Sequence, residues 1–266
     1  MRLLQELILT LLLFGMATSV YADPAFLIDD QQSYHLARQV DFLLDESHAL
    51  DLEAVQAADS WQPVERDIVN FGFNSAALWL RFELQVQQSN EYILHIPYPI
   101  LDYLDNYAFI DGLPLDPVHT GDARLFDSRA VDHIDFVFPY SLSENQTLTV
   151  YLRVDSQGTL DVPLRFLSKD KFLKSNDSEI YFRGFVMGIL WLMLFYNLFI
   201  FLSIKDHVYG FYVLNIFAFL VNSNAYDGGA FQLLWPNQPG LNDYIFPIFN
   251  GLSQLTSLLF MMALLQ

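Results

Sequence analysis

The 266-residue chain carries a formal net charge of −18, is 53% hydrophobic and contains no cysteine. The lack of cysteine excludes disulfides, thiolate nucleophiles and cysteine-based zinc sites. Residues 23–178 hold 10 Lys/Arg against 26 Asp/Glu, whereas the residues that follow are almost uncharged. A charge balance this negative argues against a nucleic-acid partner, because phosphate backbones are bound by clustered Lys and Arg. The chain therefore divides into an acidic soluble part and an apolar part.

Residues 1–22 have the pattern of a secretory signal peptide. Arg2 supplies a positive start, residues 7–20 are apolar, and Val20-Tyr-Ala22 has the form of a cleavage site. The apolar stretch is short for a membrane span, and an uncleaved anchor is the alternative. In both cases the following residues are exported, and cleavage predicts a mature N-terminus at Asp23.

Residues 23–168 alternate between apolar and polar positions, as half-buried strands do. Turn sequences such as Asn70-Phe-Gly72 and Asp111-Gly112 separate the alternating rows, and Asp51 can cap a short helix over 51–58. Seven or eight short strands with one apolar face each need a second sheet to cover them. We therefore predict an all-β sandwich of the jelly-roll type. The predicted strands lie at 77–86, 92–98, 134–138, 148–154 and 162–166, with two more near 36–44 and 104–110.

Residues 169–179 are polar and are predicted to link this domain to the membrane, which occupies 180–266. Three charge-free apolar runs are each long enough to cross a bilayer. They predict an α-helical transmembrane region with helices at about 180–204, 207–226 and 244–266.

The loops between the apolar runs predict how the chain crosses the membrane. Lys205-Asp-His207 is a tight hairpin, and its lysine predicts the cytoplasmic side. The 227–243 segment is rich in Gly and Pro and has no Lys or Arg, which predicts an outside loop. The third run reaches Gln266 without a polar anchor, so a truncated, larger bundle is expected. The lipid bilayer is thus one partner, and a homo-oligomer is compatible with these spans.

Aromatic and cationic side chains share the non-core face of the predicted sheet. Trp79 and Arg81 alternate with the apolar row of one strand, and Tyr151 and Arg153 alternate with that of another. Aromatic faces stack on sugar rings, and guanidinium groups bind carboxylates or hydroxyls through paired hydrogen bonds. Together with Asp102, these four residues are the candidate ligand-binding set.

Each candidate also has an ordinary structural interpretation. Arg81 and Arg153 can form cross-strand ion pairs with Glu83, Asp155 or loop acids on a solvated outer face. Asp102 follows Tyr98-Pro and can cap a turn instead of lining a pocket.

No catalytic or metal-binding constellation is evident in the sequence. His133-Ile-Asp135 places two metal-ligating side chains on one face, but a metal site needs three or four converging groups. Neither a metal nor another cofactor is therefore predicted. Gly-x-Ser-x-Gly, His-Glu-x-x-His and P-loop motifs do not occur, so the chain is not predicted to be an enzyme. A jelly-roll glycosidase that uses two carboxylates is the enzymatic alternative.

Several short motifs, in order and spacing, resemble one family: bacterial seven-transmembrane receptors with diverse intracellular signalling modules. The extracellular sensor domain of that family resembles residues 30–168, and its membrane domain resembles the remainder. The motifs are Asn70-Phe-Gly-Phe-Asn-Ser75, Leu78-Trp-Leu-Arg-Phe82, Tyr98-Pro-x-Leu-Asp102, Thr120-Gly-Asp122, Phe136-Val-Phe-Pro139, Leu152-Arg-Val154, Tyr196-Asn-Leu198 and Leu234-Trp-Pro236.

The resemblance implies a periplasmic jelly roll similar to carbohydrate-binding modules, anchored in the inner membrane of a bacterium. It also implies four further helices after Gln266 and a cytoplasmic output module such as a diguanylate cyclase or histidine kinase. We therefore expect a sensory receptor whose ectodomain binds a small molecule, either carbohydrate-like or an acidic metabolite. The alternative is a membrane-tethered surface interaction or adhesion module.

Overall fold

Two β-sheets packed face to face are followed by membrane-length helices in the computed structural model, which describes residues 26–28 and 33–265. The predicted signal peptide and its cleavage site lie outside the described residues. The strands are β1 (Phe26–Ile28), β2 (Tyr34–His35), β3 (Asp41–Asp45), β4 (Gln62–Pro63), β5 (Asn70–Phe73), β6 (Ala77–Val86), β7 (Asn90–Ile96), β8 (Tyr103–Ile110), β9 (Leu113–Pro114), β10 (Val118–Thr120), β11 (Phe136–Leu142), β12 (Thr147–Asp155), β13 (Thr159–Asp161) and β14 (Arg165–Ser168). The helices are α1 (Leu52–Gln56), α2 (Lys169–Ile204), α3 (His207–Tyr226), α4 (Gly229–Leu234) and α5 (Asn242–Leu264), with 3-10 turns at Ala37–Gln39, Phe126–Ser128 and Pro239–Leu241.

The larger sheet has the strand order β10-β8-β12-β6-β3-β4, with β9 added beside β8 and β1 paired in parallel with β6. The smaller sheet has the order β11-β7-β14-β2, and β13 pairs with β5 separately. Apart from β1, the pairings are antiparallel. The predicted β-sandwich is therefore confirmed.

The core between the sheets follows the predicted alternation. Apolar residues at every second position of β6 and β12 are fully buried, and the facing positions of β7, β11 and β14 complete one cluster. Burying an apolar side chain of this size contributes about 1.5–3 kcal/mol relative to leaving it exposed. These inward rows are Leu78, Leu80, Phe82, Leu84 and Val86 with Leu148, Val150, Leu152 and Val154.

Of the cap and the turn predicted between the strands, the structure contains the cap but not the turn. Asp51 caps α1 as predicted, since its carboxylate accepts a hydrogen bond from the Ala54 amide at 2.9 Å. The turn predicted at Asn70-Phe-Gly72 is wrong, because these residues belong to β5 and pair with β13. The Asn70 side chain still accepts from the Gly72 amide, and Gly72 has a φ of 63°, so a local turn geometry is contained within an irregular strand.

Helix α2 runs without interruption from the sandwich into the predicted membrane region. Its 36 residues include 169–179, the segment predicted as a linker. No Gly or Pro occurs between Lys169 and Arg183, so nothing in that stretch breaks a helix. At 1.5 Å per residue the helix is about 54 Å long, well beyond the 30 Å or so of a bilayer core.

Three helices of the described residues are long and apolar enough to cross a membrane. Helix α3 packs against both α2 and α5, and Lys205 in a left-handed conformation (φ 59°) closes the predicted tight hairpin. The 227–243 segment, predicted as a loop, contains helix α4. The Asn215 amide joins α3 to α5 by donating to the Ser253 carbonyl at 2.8 Å.

This interhelical hydrogen bond can be tested with Asn215→Leu. We expect a loss of about 0.6–2 kcal/mol, because a polar group inside a bundle gives up its partner on the next helix. Asn197→Leu is the matched control, since the Asn197 amide bonds only the Met193 carbonyl of its own helix. Denaturant-induced unfolding in detergent micelles measures both. Equal losses in the two variants would contradict the assignment.

Candidate ligand face and membrane junction

The outer face of the larger sheet carries the predicted ligand residues in cross-strand register. Tyr151 on β12 lies opposite Arg81 on β6 and opposite Tyr107 on β8. In the next row Arg153 lies opposite Trp79. Strands β6 and β12 are thus neighbours in one sheet, and the four side chains are adjacent as predicted.

Trp79 is only 1% exposed, so it offers no stacking face to a ligand. The segment after β3 folds back across the outer face, and α1 places Val55 against the indole. Tyr107 stacks on the other side, with ring centroids 6.0 Å apart. The use of Trp79 as a ligand platform is therefore wrong. Its burial depends on α1, which lies more than 20 residues earlier in the chain, and strand alternation gives no information about such a contact.

Arg81 is held between an aromatic ring and a carboxylate. Its guanidinium lies 4.6 Å from the centroid of the Trp61 ring, and its Nη2 is 2.7 Å from the Asp41 carboxylate. The Arg81 and Asp41 side chains are each about a third exposed, at 33% and 38%. Tyr151 also hydrogen-bonds Arg81, although burial raises the pKa of its hydroxyl. The arginine is accessible, and its acidic partner is Asp41 rather than Glu83.

Arg153 belongs to a charge network centred on Asp105. Its Nη2 lies 3.1 Å from Asp155, and its Nη1 lies 3.8 Å from the buried Asp105 carboxylate. Asp105 also accepts from Arg124 Nη1 at 2.6 Å and lies 2.9 Å from His119 Nδ1. Asp105 was not predicted, although its alternation in β8 puts it on this face.

The accessible aromatic surface beside these charges consists of half-buried rings. Tyr151 lies 6.2 Å from Trp61 and 6.1 Å from Phe109, measured between ring centroids. We call Trp61, Arg81, Phe109, Tyr151 and Arg153 the outer-face cluster. Rings of this kind provide apolar planes, and the two arginines provide charged donors.

Asp102 is not part of the outer-face cluster. Its carboxylate accepts a hydrogen bond from the Gln157 amide at 2.6 Å, at the end of the sandwich nearest the helices. A cavity of about 650 Å³ there is lined from both sides, by Asp102 and Asp122 of the sandwich and by Asn242 and Asp243 of the membrane region. Asp102 thus lines a cavity apart from the four strand residues, because it precedes β8 and points to the membrane end. Its role in ligand binding stays a prediction.

The backbone at this end is closely packed. Gly121 has a φ of 142°, and a Cβ there would lie 2.0 Å from the Asp102 carbonyl oxygen. Only glycine fits such an approach. The Thr120-Gly-Asp122 sequence thus brings Asp122 against Asp102.

Asp122 is 9% exposed, and its carboxyl group is the most perturbed acid of the junction. Burial raises its pKa to about 8, with contributions from the charge of Asp102 and a hydrogen bond to it. Asp243 raises the pKa further, and buried Arg129 opposes the shift. The carboxyl is therefore neutral at pH 7, so that it can donate a hydrogen bond to Asp102.

The sandwich is docked on the loop between α3 and α5 through specific contacts. The Asn242 amide donates to the Asp122 carbonyl at 2.8 Å, and its oxygen accepts from Trp235 Nε1 at 2.7 Å. The Phe126 amide donates to the Pro236 carbonyl at 3.0 Å, and its ring meets Phe231 edge to face.

A second docking contact lies along the first turns of α2. Phe172 is buried in a cluster with residues of β7, β11 and β14, and its ring lies 5.2 Å from that of His95. His95 pairs with Asp135 at 2.8 Å, and His133 lies 2.9 Å from the Asn176 amide oxygen. Within the described residues no three His, Asp or Glu side chains are grouped as a metal site requires.

A β-sandwich that continues into a membrane helix and docks on a second membrane loop defines a membrane protein with an extracellular domain. Two family models match the chain, one described as 7TMR-DISM extracellular 2 over residues 37–168 and one as 7TM diverse intracellular signalling over residues 179–266. The chain therefore belongs to the 7TMR-DISM family of membrane sensory receptors. The sensor and membrane domains of that family are not catalytic.

Solved structures resemble the sandwich only distantly. A β-glucosidase from Kluyveromyces marxianus has 10% identity and a TM-score of 0.34, over 59% of this chain and 21% of that one. A family 35 carbohydrate binding module from Clostridium thermocellum has 13% identity and a TM-score of 0.29, over 52% of this chain and 97% of that one. The chain thus spans about a fifth of the β-glucosidase, and TM-scores this low support no argument about ligands. None of the curated proteins compared with the chain matches it.

The raised pKa of Asp122 predicts a pH-dependent stability. Between about pH 4 and pH 8 the unfolded carboxyl ionises while the folded one keeps its proton, so the free energy of unfolding falls as the pH rises. Asp122→Asn keeps a donor towards Asp102 and removes this penalty. At pH 8 we expect the variant to exceed the wild type by at least about 1.4 kcal/mol, the equivalent of one pH unit. Thermal unfolding at pH 4 and pH 8 measures the difference, and a variant less stable than wild type at pH 8 would refute the prediction.

Proposed function

We propose that this chain is the sensing part of a membrane receptor whose ectodomain binds a small ligand, carbohydrate-like or an acidic metabolite. The bound state passes through the transmembrane helices to a cytoplasmic output module. The observation that carries the proposal is the double attachment of the sandwich, which continues into α2 and also docks on the loop after α3. The ectodomain is periplasmic and the helices lie in a bacterial inner membrane.

The double attachment favours a receptor over an adhesion module. A tethered adhesion domain needs only one flexible connection, and domains joined in that way move independently by default. Here α2 has no helix breaker near the sandwich, and Asn242 and Trp235 add a second hydrogen-bonded contact. A change of shape in the sandwich is therefore transmitted both to α2 and to the loop between α3 and α5.

The outer-face cluster is the proposed ligand surface. The Arg81–Asp41 and Arg153–Asp155 pairs are partly exposed, and exposed pairs of this kind contribute only about 0–1 kcal/mol. A ligand carboxylate or hydroxyl can replace one of these acids at little cost while its ring rests on Tyr151. Ligand binding thus exchanges one partner of an arginine for another.

Strand β8 connects this surface to the membrane junction. It carries Tyr107 and Asp105 on the outer face, and Asp102 immediately precedes it at the junction cavity. Asp105 accepts a hydrogen bond from Arg124 and lies 3.8 Å from Arg153. A new partner for Arg153 therefore changes the electrostatic environment of Asp105 on this strand. We take β8 as the route by which ligand occupancy reaches Asp122.

The ligand surface is tested by Arg81→Ala and Arg153→Ala in the full chain, reconstituted in nanodiscs. We expect each variant to lower affinity about ten- to a hundred-fold, because a hydrogen bond to a charged partner contributes about 1.5–3 kcal/mol. Glucose and glucuronate serve as neutral and acidic probes in a thermal-shift titration. Arg38→Ala is the matched control, since Arg38 forms an exposed pair with Asp67 and neither residue belongs to the cluster.

The outcome separates ligand binding from simple surface pairing. If the arginines serve only the sheet, melting temperature falls in both variants and the response to the probes is unchanged. If neither probe shifts the melting temperature of the wild-type protein at millimolar concentration, the proposed ligand classes are wrong for this surface.

The docked state is tested by chemical cross-linking between the sandwich and the membrane loop. Asp132→Cys with Gln232→Cys places two thiols where the side chains are hydrogen-bonded at 2.7 Å, in a protein without native cysteine. A short bis-maleimide is expected to join the two thiols in native membranes. When the chain is then cut between residues 132 and 232, the cross-linked fragments stay together and migrate on a gel as one species. Glu144→Cys with Gln232→Cys is the control. Glu144 follows the end of β11, whereas Asp132 precedes its start, so the two positions are separated by the length of that strand. Equal reaction of the two pairs would refute the docking.

A further inference from the structure

A second cavity, of about 370 Å³, lies between the smaller sheet and the first turns of α2, away from the outer-face cluster. Its size is within the range of small-molecule sites, about 300–1,000 Å³. Basic side chains predominate in its lining, and these are His35, His95, Arg165, Lys171 and Lys174.

Three of these basic residues form a single row across the sheet. Arg165 on β14 lies opposite His95 on β7 and opposite His35 on β2. The row therefore places no carboxylate opposite Arg165 on either neighbouring strand. The Asp135 carboxylate is already engaged by His95 at 2.8 Å.

Arg165 differs from the other arginines of the sandwich in lacking a partner. Within residues 26–28 and 33–265 it forms no ion pair and no hydrogen bond, and its Nε is buried without an acceptor. Arg38, Arg81, Arg124 and Arg153 each pair with an aspartate. A buried donor without an acceptor costs about 1–3 kcal/mol.

Helix α2 adds positive charge from the opposite wall. Lys174 forms no ion pair within the described part of the chain, and Lys171 lines the cavity one helical turn before it. The cavity thus collects three of the 10 Lys/Arg in a segment that holds 26 Asp/Glu. The N-terminal turns of a helix also carry partial positive charge.

We propose that this cavity is a binding site for a small soluble anion that carries phosphate or carboxylate groups. The Arg165 guanidinium supplies paired hydrogen bonds to one oxyanion group, and Lys174 supplies a second charge from the helix. The anion would supply the acceptor that the buried Nε lacks among the described residues. The site deepens the proposed function by giving the acidic ligand a second location, and its relay to the membrane rests on that function.

An anion in this position would join the sheet to the helix that enters the membrane. Arg165 belongs to the last strand of the sandwich, and Lys174 is in the second turn of α2. Bridging the two with one ligand strengthens the docking already made by Phe172.

The height of the cavity above the membrane distinguishes a soluble anion from a lipid headgroup. The apolar part of α2 begins near Ile180, six residues after Lys174, and these correspond to about 9 Å of helix. Interfacial regions on each side of the hydrocarbon core are only about 5–8 Å thick. A soluble anion therefore fits the position better than a lipid headgroup.

The test measures binding of inorganic phosphate and citrate to the full chain in nanodiscs of neutral lipid, by isothermal titration calorimetry. We expect binding to the wild-type protein and at least about a ten-fold loss of affinity in Arg165→Gln and Lys174→Gln. Lys169→Gln is the matched control: it removes a charge from the same helix, but Lys169 pairs with Glu91 and does not line the cavity. Its affinity should be unchanged.

Stability without ligand gives an independent readout. Arg165→Gln should melt at the same temperature as wild type or higher when no anion is present, because it removes a buried Nε that has no acceptor among the described residues. An arginine with a purely structural role would instead lower the melting temperature when replaced. Equal affinity in Arg165→Gln and wild type, or no binding of either probe at tens of millimolar, would overturn the proposal.

Two further arms locate the source and separate the hypotheses. If the melting temperature rises only in nanodiscs with anionic lipid, and neither phosphate nor citrate binds, the ligand is a lipid headgroup and the proposal of a soluble anion is overturned. If the anions bind but the Asp132→Cys, Gln232→Cys cross-linking rate does not change, the site stands and the relay fails. If Arg81→Ala abolishes anion binding while Arg165→Gln does not, the anion binds at the outer face instead.

Discussion

The direct passage from β14 into α2 is the constraint on which the arrangement of the whole molecule depends. Ser168 ends the last strand and Lys169 begins the helix, so no residue is left over for a hinge. Phe172, four residues on, is buried against the outer side of the smaller sheet. The orientation of the sandwich is therefore coupled to that of the first membrane helix, and the docking of the α3–α5 loop on Asp122 becomes a second point of the same attachment.

The acidic character of the sandwich makes each positive charge informative. Arg81, Arg124 and Arg153 form ion pairs on the larger sheet with Asp41, Asp105 and Asp155. The smaller sheet is different, since Arg165 is placed among other basic groups. The two sheets thus share one core, but among the described residues the arginines on the outer face of the larger sheet are paired with aspartates and Arg165 is not.

Alternation in the sequence was sufficient to predict the strands, the core and the neighbouring positions of Arg81 and Tyr151, because side-chain direction in a strand is set locally. It failed for Trp79, whose cover comes from α1. It carried no information about the surroundings of Asp102, which come from Gly121 and the membrane region. The helical conformation of residues 169–179 was not predicted either, since a polar composition is equally compatible with a linker and with an exposed helix. Long-range contacts, not local preference, decided each of these cases.

The length of α2 has a mechanical consequence. The helix is about 54 Å long and starts at the sheet itself, so its far end at Ile204 responds to small rotations at its base. A change of about 5° in the angle between β14 and the helix moves that end by roughly 5 Å, close to one helical turn of 5.4 Å. A repacking of side chains around Phe172 too small to alter the fold of the sandwich would thus, through the length of the helix alone, produce a displacement at the far end of α2.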